Sequence, residues 1–247
     1  GRVLMTGKSG INPEKGFVFD VGAVWKGTSE NAGGDFALPT KDLQAGFVGD
    51  PLFMYVPAEL VEIIDGVSMG EVFEPYFDRT PRHFSGHVNA PSKPDASGYS
   101  AGSVKGNFTY FAFPIFSAYH KVGAVAMLEI AENLVASALS SPRSVSTTLP
   151  RAGRVIVRQQ AEQNRDIVHL LYATPVLRGT TRNSPVQPIQ DLTTINGIDI
   201  DVAPTGKVAS VKLVPEGEAL AFEVVEDRLK FTVPRLRGHQ MVEIGYE

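Results

Sequence analysis

Between Phe73 and Pro91 the sequence reads FEPYFDRTPRHFSGHVNAP, which gathers four aromatic rings and two of the chain's five histidines into fewer than twenty positions. His83 and His87 stand four apart, a spacing that on a helix would bring two metal ligands to one face. Pro81 and Gly86 oppose a continuous helix, however, and no third ligand is apparent nearby. Two other roles stay open for these imidazoles. They could hydrogen-bond the loop's own backbone above a packed layer of Tyr76, Phe77 and Phe84, or they could contribute to a site completed elsewhere. The acids in reach, Glu71, Glu74 and Asp78, lack any partner in sequence that would drive two carboxyl pKa values apart, so they read as solvated or hydrogen-bonded groups. The stretch is too rich in Pro and Gly for a long helix and too irregular for a strand, which predicts an ordered loop held on a scaffold.

Other candidates for chemistry are sparse. Gly7-Lys8-Ser9-Gly10 resembles a phosphate loop only superficially, since no glycine stands five residues before Gly7 and Pro13 interrupts any following helix. The single tryptophan, Trp25, beside Val21 and Val24, reads either as a core or rim residue or as a sugar-stacking platform. His120, His169 and His239 fall in helix-start, strand and loop contexts and read as structural. The absence of cysteine removes thiol nucleophiles, disulfides and thiolate-bound zinc. A net charge of −4 with acids and bases interspersed, and no basic stripe, argues against nucleic acid or anionic membrane as a partner. No cofactor motif is present. Compartment is left open, with cytoplasmic the nearer reading and any signal peptide expected upstream of this chain.

The elements that must carry this loop divide into two regions. Arg2–Thr6 reads as a buried strand at the very start of the chain, running directly into the GKSG turn. That is the pattern of an interior strand of an open α/β sheet, so the chain is expected to be the latter part of a longer protein. Short strands and extended loops fill 17–60, and Val61–Ile64 and Met69–Phe73 are expected to flank a turn at Asp65-Gly66. Lys105-Gly106-Asn107 makes another turn, after which Phe108–Phe113 alternates rings with small residues along one strand face. Apolar positions from Val122 to Leu139 recur at helical spacing, predicting a helix over 117–139 that Ser140-Ser141-Pro142 ends; Glu129 and Glu132 lie on its polar side and rule out a membrane span. Beyond it, seven short alternating runs between Arg154 and Ile244 predict a small antiparallel β-sandwich, with FEVVEDRLKFTV as a hairpin and 180–196 as a long loop or edge connection. The expected fold class is therefore α/β plus all-β, with an α/β region over 1–144 and a β-sandwich over 145–247.

Taken together, RVLMTGKSG, EPYFDRTPRHFSGHVNAP, NFTYFAFPIFSAYHKVGA, QNRDIVHLLYATP, LVPEGEALAFEV and FTVPRLRGHQMVEI resemble the C-terminal part of bacterial glycoside hydrolases with a beta-galactosidase trimerisation domain. The resemblance covers nearly the whole chain as ordered blocks. It implies the latter half of a flavodoxin-like α/β trimerisation domain followed by the small β-domain, with the catalytic TIM barrel outside this chain. Retaining glycosidases use two carboxyl groups about 5 Å apart, and in the resembled enzymes both come from the barrel, so no catalytic residue is expected here. What the resemblance implies for this chain is an accessory role in a homotrimer, with carbohydrate met through the parent enzyme and with Tyr76, His83, Phe84 and His87 lining the cleft of a neighbouring subunit. The competing reading is a stand-alone carbohydrate-binding or interaction module using Trp25, Tyr99 or Tyr172 as platforms. Crowded aromatic surface on Phe108–Phe113 adds an expectation that another subunit covers it.

Overall fold

The aromatic run Phe108–Phe113 is the spine of the first of two compact units, which divide between Pro142 and Arg143 in the computed structural model. The structure describes residues 1–84, 86–87, 89–177, 179–181 and 184–247, with the side chain of Thr181 excepted. In chain order, the first unit holds β1 (Val3–Thr6), β2 (Ile11–Asn12), β3 (Gly16–Phe17), β4 (Ala23–Thr28), β5 (Phe36–Pro39), β6 (Leu52–Phe53), β7 (Glu59–Ile63) and β8 (Val67–Ser68). These are followed by β9 (Gly70–Phe73), β10 (Gly102–Lys105) and β11 (Phe108–Phe111), then by α1 (Ile115–Val122) and α2 (Val125–Ala138).

Strand β11 lies between β1, which runs parallel to it, and β10, which runs antiparallel and continues to β8. Tyr110, Phe111 and Phe113 are wholly buried. The Tyr110 hydroxyl donates to the Gly7 carbonyl at 2.6 Å, so the GKSG turn is seated on the aromatic strand rather than opening a phosphate site. Burial pushes the Tyr110 phenol far above its ordinary value. The expectation that another subunit covers these rings fails for a simple reason: Met5 of β1 and Met127, Ile130 and Leu134 of α2 join them in one core.

Smaller antiparallel sheets, β4–β7, β6–β5–β9 and the β2–β3 hairpin, complete the unit. The strands on either side of Asp65-Gly66 do not form the expected hairpin. β7 pairs with β4 and β9 with β5, because the Gly22 carbonyl collects the N–H groups of Ile64, Asp65 and Gly66 and holds the turn away from its own flanks. Lys105 fastens the same corner by ion pairs to Asp20 and Asp65, each at 2.8 Å. The single helix expected over 117–139 is two. Gly123 adopts a left-handed φ of 72° and caps α1 by donating its N–H to the Tyr119 carbonyl, so the apolar periodicity restarts at Val125. No described helix is long and apolar enough to cross a membrane.

Two acids of this unit are buried. Asp35 accepts hydrogen bonds from the Ala58 N–H and the Asn31 amide, and Glu59 accepts from the Trp25 indole N–H and the Thr28 hydroxyl, both at 2.9 Å. Each carboxylate ties a loop or edge strand to the start of β7, compensating its own desolvation with several donors.

The second unit is antiparallel throughout its described ladders: β12 (Val145–Thr147), β13 (Arg154–Gln160), β14 (Arg165–Tyr172), β15 (Gly179–Thr181), β16 (Ser184–Val186), β17 (Thr194–Val202), β18 (Val208–Val214), β19 (Phe222–Val225) and β20 (Arg228–Tyr246). Arg182 and Asn183, within the stretch expected as a long loop, lie outside the described residues; β15 and β16 pair with each other on either side of them. The runs Leu229–Val233 and Met241–Ile244, expected as separate strands, are one 19-residue strand, β20. Its first half pairs with β17 and β19, and from Gly238 onward it pairs with β14 and then β18. Gly238, at a φ of 79°, marks the change of partner, a bend a residue with Cβ would resist. Both halves of β20 send Leu229, Phe231, Val233, Val242 and Ile244 into one core with Val168, Leu170, Ile198 and Ile200.

Outside that core, the largely buried Glu243 is held by Arg165 and Lys212, whose ammonium donates from 2.9 Å. The Lys212 hydrogen bond, with Arg165 assisting, keeps its carboxyl below the ordinary 4.5. Because the folded-state pKa is depressed, this stabilisation is complete above about pH 4.5 and is lost as pH falls through the lower folded value. Acid unfolding followed by circular dichroism should therefore be shallower in Glu243→Gln than in the parent below that pH, and an identical acid limb would refute the linkage. In the first unit, Leu134→Ala empties a fully buried site of α2. It should cost about 2–5 kcal/mol in denaturant unfolding.

Candidate functional site

The Phe73–Pro91 excursion leaves the scaffold at the end of β9 and is closed at its root. Pro75 and Ser92 form an antiparallel bridge, the Tyr76 N–H donates to the Pro91 carbonyl at 3.0 Å, and Lys93 pairs with Glu74 at 2.6 Å. A second tie lies further out, where Thr80 and His83 exchange backbone hydrogen bonds and the Thr80 hydroxyl accepts the His83 N–H at 3.1 Å. Ser85 and Val88 lie outside the described residues.

Beyond these ties the side chains face solvent. Phe84 is 71% exposed, Tyr76 57% and Phe77 36%. The expected layer of rings packed beneath the loop is therefore not formed by Tyr76, Phe77 and Phe84. Phe77 keeps one ring neighbour, the His83 imidazole, with centroids 6.2 Å apart. His83 and His87 sit in bends, not on one helical face, and both are exposed. Among the described residues no three His, Asp or Glu side chains converge as a metal site would require. The four sequence-derived candidates, Tyr76, His83, Phe84 and His87, thus share one exposed loop that presents two aromatic faces and two imidazoles outward.

Glu74 is neutralised by Lys93, and Glu71 and Asp78 are exposed. On α2, Glu129 accepts the Gly46 N–H at 3.0 Å and helps bind the 43–46 loop to the helix, alongside Asn133, which donates to the Leu43 and Gln44 carbonyls. The buried acids Asp35 and Glu59 escaped the sequence reading. For Glu59 a signal existed, since it stands in phase with the buried Val61 along β7 and so points inward. Asp35 follows two glycines and carried no such mark.

The second unit holds further polar features. A groove of about 830 Å³ runs over β12, β17, β20 and β19, where a cross-strand row sets Asp201 opposite Lys230 and Lys230 opposite Glu223, with Asp199 and Thr232 hydrogen-bonded beside it at 2.7 Å. His239 lies within β20, not in a loop as expected, and meets His169 of β14 with 3.2 Å between ring nitrogens. Their planes are 2° apart and their centroids 5.4 Å apart, so the rings lie nearly in line and share an in-plane N–H···N hydrogen bond. Tyr172, one of the proposed platforms, has its hydroxyl engaged by Thr174.

No protein-family model and no curated protein sequence matches the chain. Solved structures do. Over its full length the chain is similar to the alpha-L-fucosidase isoenzyme 2 from Paenibacillus thiaminolyticus, at 29% identity and a TM-score of 0.90, and it spans 37% of that enzyme. Over 98% of its length it shares the fold of part of the beta-galactosidase from Bacillus circulans sp. alkalophilus, at 12% identity and a TM-score of 0.53, and it spans 29% of that chain. Both similar proteins are glycoside hydrolases, and in each the similarity is confined to about a third of the enzyme.

Proposed function

We propose that this chain is the non-catalytic, oligomer-forming portion of a longer glycoside hydrolase, and that the Phe73–Pro91 excursion forms part of the wall of a sugar-binding cleft in an adjoining subunit. The observation that carries this reading is the alignment of the entire chain, at a TM-score of 0.90, with 37% of a fucosidase. Glycoside hydrolysis needs two carboxyl groups in fixed opposition across the scissile bond. The acids flanking the excursion are ion-paired or solvent-exposed, and the family resemblance supports a reacting pair on a catalytic barrel elsewhere in the parent protein.

What the excursion offers suits an accessory contact. Exposed Tyr76 and Phe84 can lie against the C–H face of a pyranose, while His83 and His87 exchange hydrogen bonds with its hydroxyls. The root ties at Pro75–Ser92 and Glu74–Lys93 keep the direction of the excursion fixed, which limits the ordering cost when it meets its partner. We further assign the first unit to a flavodoxin-like trimerisation domain and the assembly to a homotrimer. Since the rings of Tyr110, Phe111 and Phe113 are covered within the unit, the case for the trimer rests on the family resemblance and on the exposed loop. A stand-alone carbohydrate-binding module is the second reading, favoured by the open groove of the second unit, which sets charged and hydroxyl side chains beside Phe222 and Phe231.

Turnover of 4-nitrophenyl α-L-fucopyranoside and β-D-galactopyranoside separates these readings. The 247-residue chain should release no nitrophenol, whereas the parent protein should hydrolyse at least one of the two. In the parent, Tyr76→Ala and His83→Ala should each raise KM by roughly three- to tenfold with Tm unchanged, because an exposed contact contributes to binding and not to the core. Hydrolysis by the isolated chain, or wild-type KM in both variants, would sink the assignment. Light scattering on the parent should return three times the chain mass, and a monomer would remove the trimer.

A further inference from the structure

A second opening in the first unit lies away from the excursion, between the β2–β3 hairpin and β4. It encloses about 700 Å³ and is lined by Phe17, Phe19 and Trp25, with Glu14, Lys15 and Lys26 among its polar groups. That volume is within the usual range of small-molecule sites, roughly 300–1,000 Å³.

The indole of Trp25 is fixed from behind. Its N–H donates to the Glu59 carboxylate at 2.9 Å, and Glu59 is only 3% exposed and is itself held by Thr28. With the ring's sole donor consumed inside the fold, what Trp25 can present to a ligand is carbon surface. Phe19 is similarly placed: it stacks on Phe108 with centroids 5.1 Å apart and an interplanar angle of 22°, yet remains partly exposed. Two immobilised aromatic residues cost little further ordering on binding.

The polar groups around them are also set in place. Lys26 is paired with Glu62 at 2.8 Å and Asp20 with Lys105 at 2.8 Å, whereas Glu14 and Lys15 stand exposed at the hairpin tip, which the Asn12 carboxamide oxygen stabilises by accepting their backbone N–H groups. A surface on which Phe19 and Trp25 stand among charged groups of both signs matches a ligand whose faces are C–H and whose edges are hydroxyl. We propose that this pocket is a saccharide-binding site belonging to the chain itself, with Trp25 as its platform and Glu14 and Lys15 bonding hydroxyls from the hairpin. The choice of a sugar as ligand rests on the carbohydrate reading above, but the site is separate from the excursion and needs no catalysis.

The chain's one tryptophan makes the test direct. Titration of the isolated chain with L-fucose, D-galactose and lactose, past the millimolar range, should give a saturable change in tryptophan emission with at least one of them. Val24→Arg places a long cation in the pocket from an exposed position and leaves the Glu59 anchor alone. It should weaken that binding by about tenfold or more at unchanged Tm. Trp25→Ala, monitored by saturation-transfer NMR, should abolish ligand contact; if that variant fails to fold, Val24→Arg still decides. A purely linear response to all three sugars, or equal binding by Val24→Arg, overturns the site. Failure of the glycosidase assignment would instead appear as an inactive parent protein with this titration still saturable.

Discussion

Burial of Thr109–Phe113 and of Ile115 is the constraint from which the rest of the first unit follows. Large rings in a four-residue strand can leave water only if both neighbouring strands and a helix close over them, and here β1, β10 and α2 do so. The same demand positions residues that bear no rings at all. Ala112, just past the strand, donates its N–H to Ala101 and accepts the N–H of Glu59, so the first residue of β7 is fixed by the aromatic spine. Glu59 in turn orients Trp25 and Thr28 of β4. A chain of contacts thus runs from an apolar core to a partly exposed indole, and every link is a satisfied hydrogen bond or a covered ring.

How far this was readable in the sequence depended on whether the controlling contact was local. β11 stood out by its own side-chain alternation, and β1 and the strand at Val208–Val214 as short apolar or β-rich runs bounded by turn signals. The hairpin between β19 and β20 was equally plain: Glu226 and Asp227 both take positive φ, as a tight two-residue turn requires. Failures share a different cause. The turn at Asp65-Gly66 is held by the carbonyl of Gly22, far away in sequence, so local turn chemistry named the residues but not the partners. β20 reads as two strands because Pro234 and Gly238 interrupt its alternation, and only the change from β17 to β14 as partner explains why a single strand continues through them.

The candidate site divides in the same way. That Tyr76, His83, Phe84 and His87 would share an irregular loop followed from composition, since Pro and Gly density excludes regular structure. Whether their rings would be covered could not follow, because that depends on contacts distant in sequence, and Tyr76 and Phe84 are left exposed. Trp25 presents the converse case. A lone tryptophan beside valines is most often packed, and half of that holds: its N–H is buried against Glu59 while the residue still lines an open pocket. Glu59 was the missing datum, and its significance emerges only once β7 is known to pair with β4.

The double tie at the root of the excursion has a consequence for descent as well as for mechanics. Pro75–Ser92 and Glu74–Lys93 close the loop on themselves, and among the described residues from Tyr76 to Asn89 none joins the aromatic core. Residues past the tie are therefore free to drift, lengthen or shorten with little thermodynamic penalty. The scaffold can therefore carry excursions of different length and sequence while keeping an unaltered fold, because the aromatic spine does not depend on them.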